Sequence, residues 1–227
     1  MATYDLEEQE QIAEIKAWWK QHGNLVTGVV TAAAIGVLAW QGWNYYQRSQ
    51  TAMAAMVYGS LQKAVADNDS QRIKAASGEL FEKFGGTVYA PLAALSAARV
   101  MVDADDAKTA SLQLRWVVDH GQDELRDLAR LRLAALLLDE QAYDEALKQL
   151  DGNVGAAFAV RFLDSRGDVF SLQGKKAEAR SAYQEALAKI GQADQTGKGK
   201  NTLQAAQANA AYRELLQQKL DALGESS

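Results

Sequence analysis

The residues of this chain that could do acid–base, metal or phosphate chemistry are few, and their spacing argues against each reaction. His22, at the edge of an apolar run, and His120, in Asp119-His120-Gly121 at a helix end, have no second ligand or base at a useful interval. Asp103-Ala-Asp-Asp106 lacks the remaining oxygens of a calcium loop. Gly197-Lys198-Gly199-Lys200 lacks the earlier glycine and the following hydroxyl of a phosphate loop, so it reads as solvated linker. With 0 cysteines, thiolate catalysis, thiolate metal sites and disulfides all fall away. The expectation is a protein that is no enzyme and holds no metal or cofactor.

What such a chain offers instead is surface, and composition says how that surface is carried. The 24 basic and 29 acidic residues are interspersed and net charge is -5, which leaves no basic field to hold phosphate backbones; nucleic acid is not an expected partner. A single proline among abundant Ala, Leu, Gln, Glu and Lys favours helix almost throughout.

One stretch is built for another solvent. Between Lys20 and Arg48 there is no formal charge, and residues 25–46 as a helix reach roughly 33 Å, enough for a hydrocarbon core. Trp18 and Trp19 precede the run and Trp40, Trp43, Tyr45 and Tyr46 close it, as aromatic side chains do at the two headgroup levels. The acidic leader is too long for a cleaved signal peptide, so an uncleaved anchor is expected. Leu6, Ile12, Ile15 and Trp19 suggest an amphipathic helix leading in. Gly28, Ala32 and Gly36 leave one face of the span smooth enough for a second membrane helix to approach.

After Arg48 the apolar residues Met53, Val57, Leu61 and Val65 keep helical spacing up to Asp67-Asn68-Asp69-Ser70, a turn in which Ser70 is expected to cap the next helix. Further on, small residues at Ala98, Ala134 and Gly167 are each followed twelve positions later by Ala110, Ala146 and Ala179. Large residues sit beside them in register: Met101, Leu137 and Phe170 after the first of each pair, and Leu114, Leu150 and Tyr183 after the second. The intervals of 36 and 33 residues, with turns at Asp105, Gln141 and Gly174, describe the antiparallel helix pairs of a tetratricopeptide repeat. The first two pairs depart from that pattern by lacking a turn glycine and by carrying Ala94 and Arg130 where a large aromatic is usual.

The resulting expectation is an all-α chain, a single N-terminal transmembrane helix followed by a tetratricopeptide-like helical repeat solenoid. Its parts are a tail (1–24), the span (25–46), the repeats (47–190), a linker (191–200) and a C-terminal capping helix (201–227), since stacked repeats need covered ends. Residues 51–84 read as a degenerate cap at the other end. In this register the first helices of the pairs line an inner groove with Leu92, Leu95, Arg99 and Val102, then Leu128, Leu131, Ala135 and Leu138, then Arg161, Asp164, Asp168 and Ser171. The groove is apolar at first and charged beyond, suited to extended or unfolded polypeptide unless the terminal helix covers it.

The aromatic run Trp40-x-x-Trp43-x-Tyr45-Tyr46 and the stretch GDVFSLQGKKAEARSAYQEAL, from Gly167 to Leu187, together resemble the YfgM family, tetratricopeptide-like ancillary subunits of the bacterial SecYEG translocon. The resemblance covers nearly all the chain except the long final helix. It implies a single-pass protein of the bacterial inner membrane with a cytoplasmic N-terminus and its repeats in the periplasm. It also implies association with the SecYEG translocon, with a membrane-anchored periplasmic prolyl-isomerase-like chaperone and with translocating polypeptides. Charge bias decides little about orientation, because Lys16 and Lys20 on one side nearly balance Arg48 and Lys63 on the other. A membrane-anchored tetratricopeptide scaffold that assembles an envelope or division complex is the alternative. Because Ala179 belongs at a close helix crossing, Ala179→Leu is expected to overpack it and cost about 1–3 kcal/mol; an unchanged melting temperature would refute the register.

Overall fold

A computed structural model describes residues 3–196 and 203–224, all of them in helices or short connections, with no strand among them. The helices are α1 (Thr3–Ala66), α2 (Ser70–Phe84), α3 (Tyr89–Asp103), α4 (Ala107–His120), α5 (Asp123–Asp139), α6 (Tyr143–Gln149), α7 (Ala159–Leu172), α8 (Lys176–Thr196) and α9 (Leu203–Ala222). They fall into two compact units that meet in sequence between Met53 and Ala54.

The first unit is a single helix. Leu25, Val29, Ile35 and Leu38 are each more than 60 % exposed there, so no protein covers them and a buried soluble helix is excluded. Among the described residues this is the one helix long and apolar enough to cross a membrane. Around Gly28 and Gly36 the space a Cβ would enter is open. His22 stacks on Trp18 with ring centroids 5.3 Å apart and sets Nδ1 3.3 Å from the Trp18 carbonyl, which accounts for it without chemistry.

In the second unit the expected pairs are α3 with α4, α5 with α6 and α7 with α8. Their turns share one backbone device. Asp105, Gln141 and Gly174 have φ of 60°, 60° and 73°, the left-handed region, and the next amide in each bonds the carbonyl five residues back: Asp106 to Met101 (2.8 Å), Ala142 to Leu137 (2.8 Å), Lys175 to Phe170 (2.9 Å). Carbonyls orphaned at the helix end are thereby satisfied as the chain reverses. The small residues that meet below the turn, Ala98 with Ala110, Ala134 with Ala146 and Gly167 with Ala179, are all buried. A Cβ on Gly167 would run into the Tyr183 ring.

The same device occurs once more, upstream. Asn68 has φ 53° and the Asp69 amide bonds the Ala64 carbonyl at 2.9 Å. The helix pair expected as a degenerate cap, the end of α1 with α2, is therefore joined by the same turn geometry as the other three. Its side-chain sizes are inverted: Leu61 and Ile73 stand where the other pairs have small residues, and Ala64 and Ser77 where they have large ones, yet all four are buried. The cap of α2 is Asp69, whose carboxylate accepts from the Arg72 amide at 3.1 Å, and Ser70 is already helical. Likewise the acidic run of residues 103–106 is turn and cap: Asp105 holds the left-handed position and Asp106 accepts from the Thr109 amide at 3.1 Å.

One apolar core runs from α1 through the second and third pairs to Phe162 and Val169 of α7. A second joins Leu163, Ala179, Tyr183, Ala186 and Ile190 to Leu216 and Leu220 of α9 and to Leu223 just after it. α8 continues to Thr196, through the first six residues of the expected linker, while Gly197-Lys198-Gly199-Lys200 and Thr202 lie outside the described residues. A side chain held left-handed costs about 1–2 kcal/mol, partly offset by the chain entropy of a glycine. Gln141→Gly is therefore expected to stabilise the repeats by about 0.5–1 kcal/mol; a urea midpoint that stays put or falls would show that the Gln141 side chain contributes to the fold.

Candidate functional site

The first helices of successive pairs place their exposed faces side by side, and two adjoining pockets open between them. The larger, of about 630 Å³, lies between α5, α7 and α9 and is lined by Leu128, Leu131, Arg161 and Asp164 from the expected groove, together with Arg132, Val160, Ile190 and Tyr212. The second, of about 380 Å³, lies between α3 and α5 and contains Arg99 and Val102. Both include Arg132 and Ala135, so one trough runs across the repeats.

Five expected groove residues, Leu92, Leu95, Leu138, Asp168 and Ser171, line neither pocket. Leu95 is 4 % exposed and belongs to the core, because it sits on the side of α3 that packs against its neighbours; its backbone carbonyl alone faces Arg132, which donates to it at 3.3 Å. Leu92 and Leu138 are half-buried and line neither pocket, and Leu138 packs on the core. Ser171, near the end of α7, lines neither.

The trough depends on a connector whose shape a buried ion pair sets. Arg130, standing where the repeat pattern has an aromatic, donates to the carbonyls of Gln149 (2.8 Å), Asn153 (2.9 Å) and Asp151, and to Asp127 at 3.3 Å. Its guanidinium lies 4.8 Å from the Phe162 ring centre. Asp127, 2 % exposed, accepts from the Gly155 amide at 2.8 Å with its other oxygen. The segment between α6 and α7 is thus tied to α5 by charged hydrogen bonds, the stronger kind.

At the far end Asp164 and Asp168 serve α9. Lys219 donates to Asp164 at 2.7 Å and to both oxygens of Asp168 at 2.7 and 2.9 Å, while Tyr212 donates to Asp164 and Tyr183 to Asp168, each at 2.8 Å. Burial, then the hydrogen bond and negative charge of the aspartates, push both tyrosine pKa values up. Burial works to lower the Lys219 pKa, but the hydrogen bonds and charges of Asp164 and Asp168 outweigh it and the net shift is upward. Of the residues the sequence reading passed over, Tyr212 lies four before Leu216 on the buried face of α9 and was legible by spacing. Lys219, a cation set beside that face, and Arg132, adjacent to Leu131, carry no local signal. His120 stacks on Trp116 with centroids 4.7 Å apart, and its Nδ1 lies 2.9 Å from the Trp116 carbonyl, repeating the arrangement at His22.

The family profile described as a tetratricopeptide repeat-like domain matches residues 16–225. A protein named ancillary SecYEG translocon subunit from Neisseria gonorrhoeae is 34 % identical over 96 % of this chain and 98 % of its own length. Proteins of the same name from Escherichia coli, 30 % identical over 78 % of this chain and 85 % of theirs, and from Haemophilus influenzae, 29 % identical over 81 % and 90 %, are also similar.

Removing one partner of the α9 network leaves two carboxylates without their cation, and Lys219→Met is expected to cost about 1.5–3 kcal/mol in urea unfolding. All three upward shifts have the same sign of linkage: the stability they contribute is full below the ordinary values of 10.0 for tyrosine and 10.5 for lysine and is lost as pH rises above them. Stability that instead fell between pH 7 and 9 would contradict this network.

Proposed function

This chain belongs to the tetratricopeptide repeat-like family of ancillary SecYEG translocon subunits, and from that premise we propose that it is a single-pass inner-membrane protein, without enzymatic activity, that accompanies a SecYEG channel and receives polypeptide in the trough of its repeats. The observation that carries the reading is the extent of the likeness: identity of 34 % runs through 96 % of the chain, so anchor and repeats are matched together. The bare apolar length of α1 supports the anchor, because only hydrocarbon offers it a partner. The trough supports the second part. Leu128 and Leu131 line it half-buried, and the terminal helix adds Tyr212 to its lining. An extended chain can lay aliphatic side chains there and leave its backbone to water or to polar rims.

The finer proposal follows the same lines. The N-terminus is cytoplasmic and the repeats are periplasmic, where they pass emerging chains to a membrane-anchored prolyl-isomerase-like chaperone. Protease added to spheroplasts is expected to digest the protein beyond Arg48; protection would reverse the orientation. Crosslinking in native membranes should recover channel subunits, secretory chains and that chaperone. Leu131→Asp should reduce capture of secretory chains several-fold while leaving the channel subunits bound, and recovery of division or envelope proteins in their place would favour a scaffold.

A further inference from the structure

The pocket between α5, α7 and α9 contains two guanidinium groups that, among the described residues, no carboxylate answers. Arg132 and Arg161 both line it. Arg132 donates to the Leu95 carbonyl at 3.3 Å, and among the described residues neither arginine forms an ion pair. The pocket's own carboxylate, Asp164, is occupied by Lys219 and Tyr212. The other charges along the trough lie in the second pocket: Arg99, Asp103 at 4.0 Å from it, and Asp139. Burial lowers the proton affinity of Arg132 and the charge of Arg99 lowers it further, so this cation stands in a setting that disfavours it. Each guanidinium carries five N–H donors in a plane suited to a carboxylate. Beside them Leu128, Leu131, Val160 and Ile190 form an aliphatic floor.

We propose that this pocket takes an internal stretch of extended polypeptide in which an acidic side chain lies next to a bulky aliphatic one, the carboxylate held by Arg132 and Arg161 and the aliphatic group on the leucine floor. The occupant is a chain interior because the trough continues past Arg132 and Ala135 to Val102, leaving room for residues on both sides of the acid. The basic segment of residues 197–200 of this same chain is disfavoured there by charge. This rests on the polypeptide-binding reading above and assigns it a sequence preference.

The test uses the full-length protein in nanodiscs of uncharged phosphatidylcholine and two dye-labelled, end-blocked twelve-residue peptides of leucine, alanine and serine, identical except for one central glutamate or glutamine. Fluorescence anisotropy is expected to give about tenfold tighter binding of the glutamate peptide, equivalent to about 1.4 kcal/mol. Arg132→Gln and Arg161→Gln should each reduce that preference and together remove it, and 0.5 M salt should weaken it. The double variant should still bind the glutamine peptide as the parent does, which also shows that it is folded. Equal affinities in the parent protein, or a preference that survives in the double variant, would overturn the carboxylate assignment and leave the groove reading standing. If neither peptide binds, both readings fall.

Discussion

A helix that ends inside a packed stack must find partners for its last carbonyl groups, and in this protein the same solution recurs four times. At Asn68, Asp105, Gln141 and Gly174 the chain turns left-handed, and the following amide bonds the carbonyl five residues back. That backbone closure fixes where the returning helix starts and hence which residues meet, seven before the turn and five after it. Three pairs fill the crossing with small residues and lock it with large ones, whereas the first does the reverse with Leu61 and Ile73 against Ala64 and Ser77. Turn geometry is therefore what the pairs have in common, and side-chain sizes need only complement one another within it.

Regular stacking ends at α6, which spans only Tyr143–Gln149, and the chain then needs a connector to reach α7. Charge does the work that periodic packing does elsewhere. Arg130 and Asp127 gather the last carbonyl of α6 and two carbonyls and an amide of that connector around α5, and Lys219 gathers Asp164 and Asp168 of α7 onto α9. Buried charges destabilise a fold when left alone and hold distant segments in register when every lone pair is met. These two networks sit on either side of the larger pocket, so its shape follows from them: one sets the approach to α7, the other sets α9 as the far wall.

The two units answer to different solvents. In the first, large apolar side chains face outward without protein cover, a state stable only where the surroundings are apolar as well. In the second, most large apolar groups are buried, and along the trough half-buried leucines adjoin arginines.

The membrane span, the helical class and the three-pair register were legible in the sequence because each rests on local periodicity: a long uncharged run, scarce proline, small residues recurring with large ones in step. The helix pair before them was legible too, with its turn at Asp67-Asn68-Asp69-Ser70, but its inverted sizes hid the register it shares, which the backbone at Asn68 discloses. Groove residues were half legible. Register put Leu128, Leu131, Arg161 and Asp164 on the face where one pocket gathers them, but a helix between two neighbours turns one side toward each, and the division that buried Leu95 and exposed Arg132 follows from how the helices lean, which no repeat spacing records. Lys219 lies 51 residues from Asp168, and Arg130 lies 23 from Asn153. Pairings over such distances come from the stacking of helices and the docking of α9, so which charges are committed to one another was decided by the tertiary structure alone.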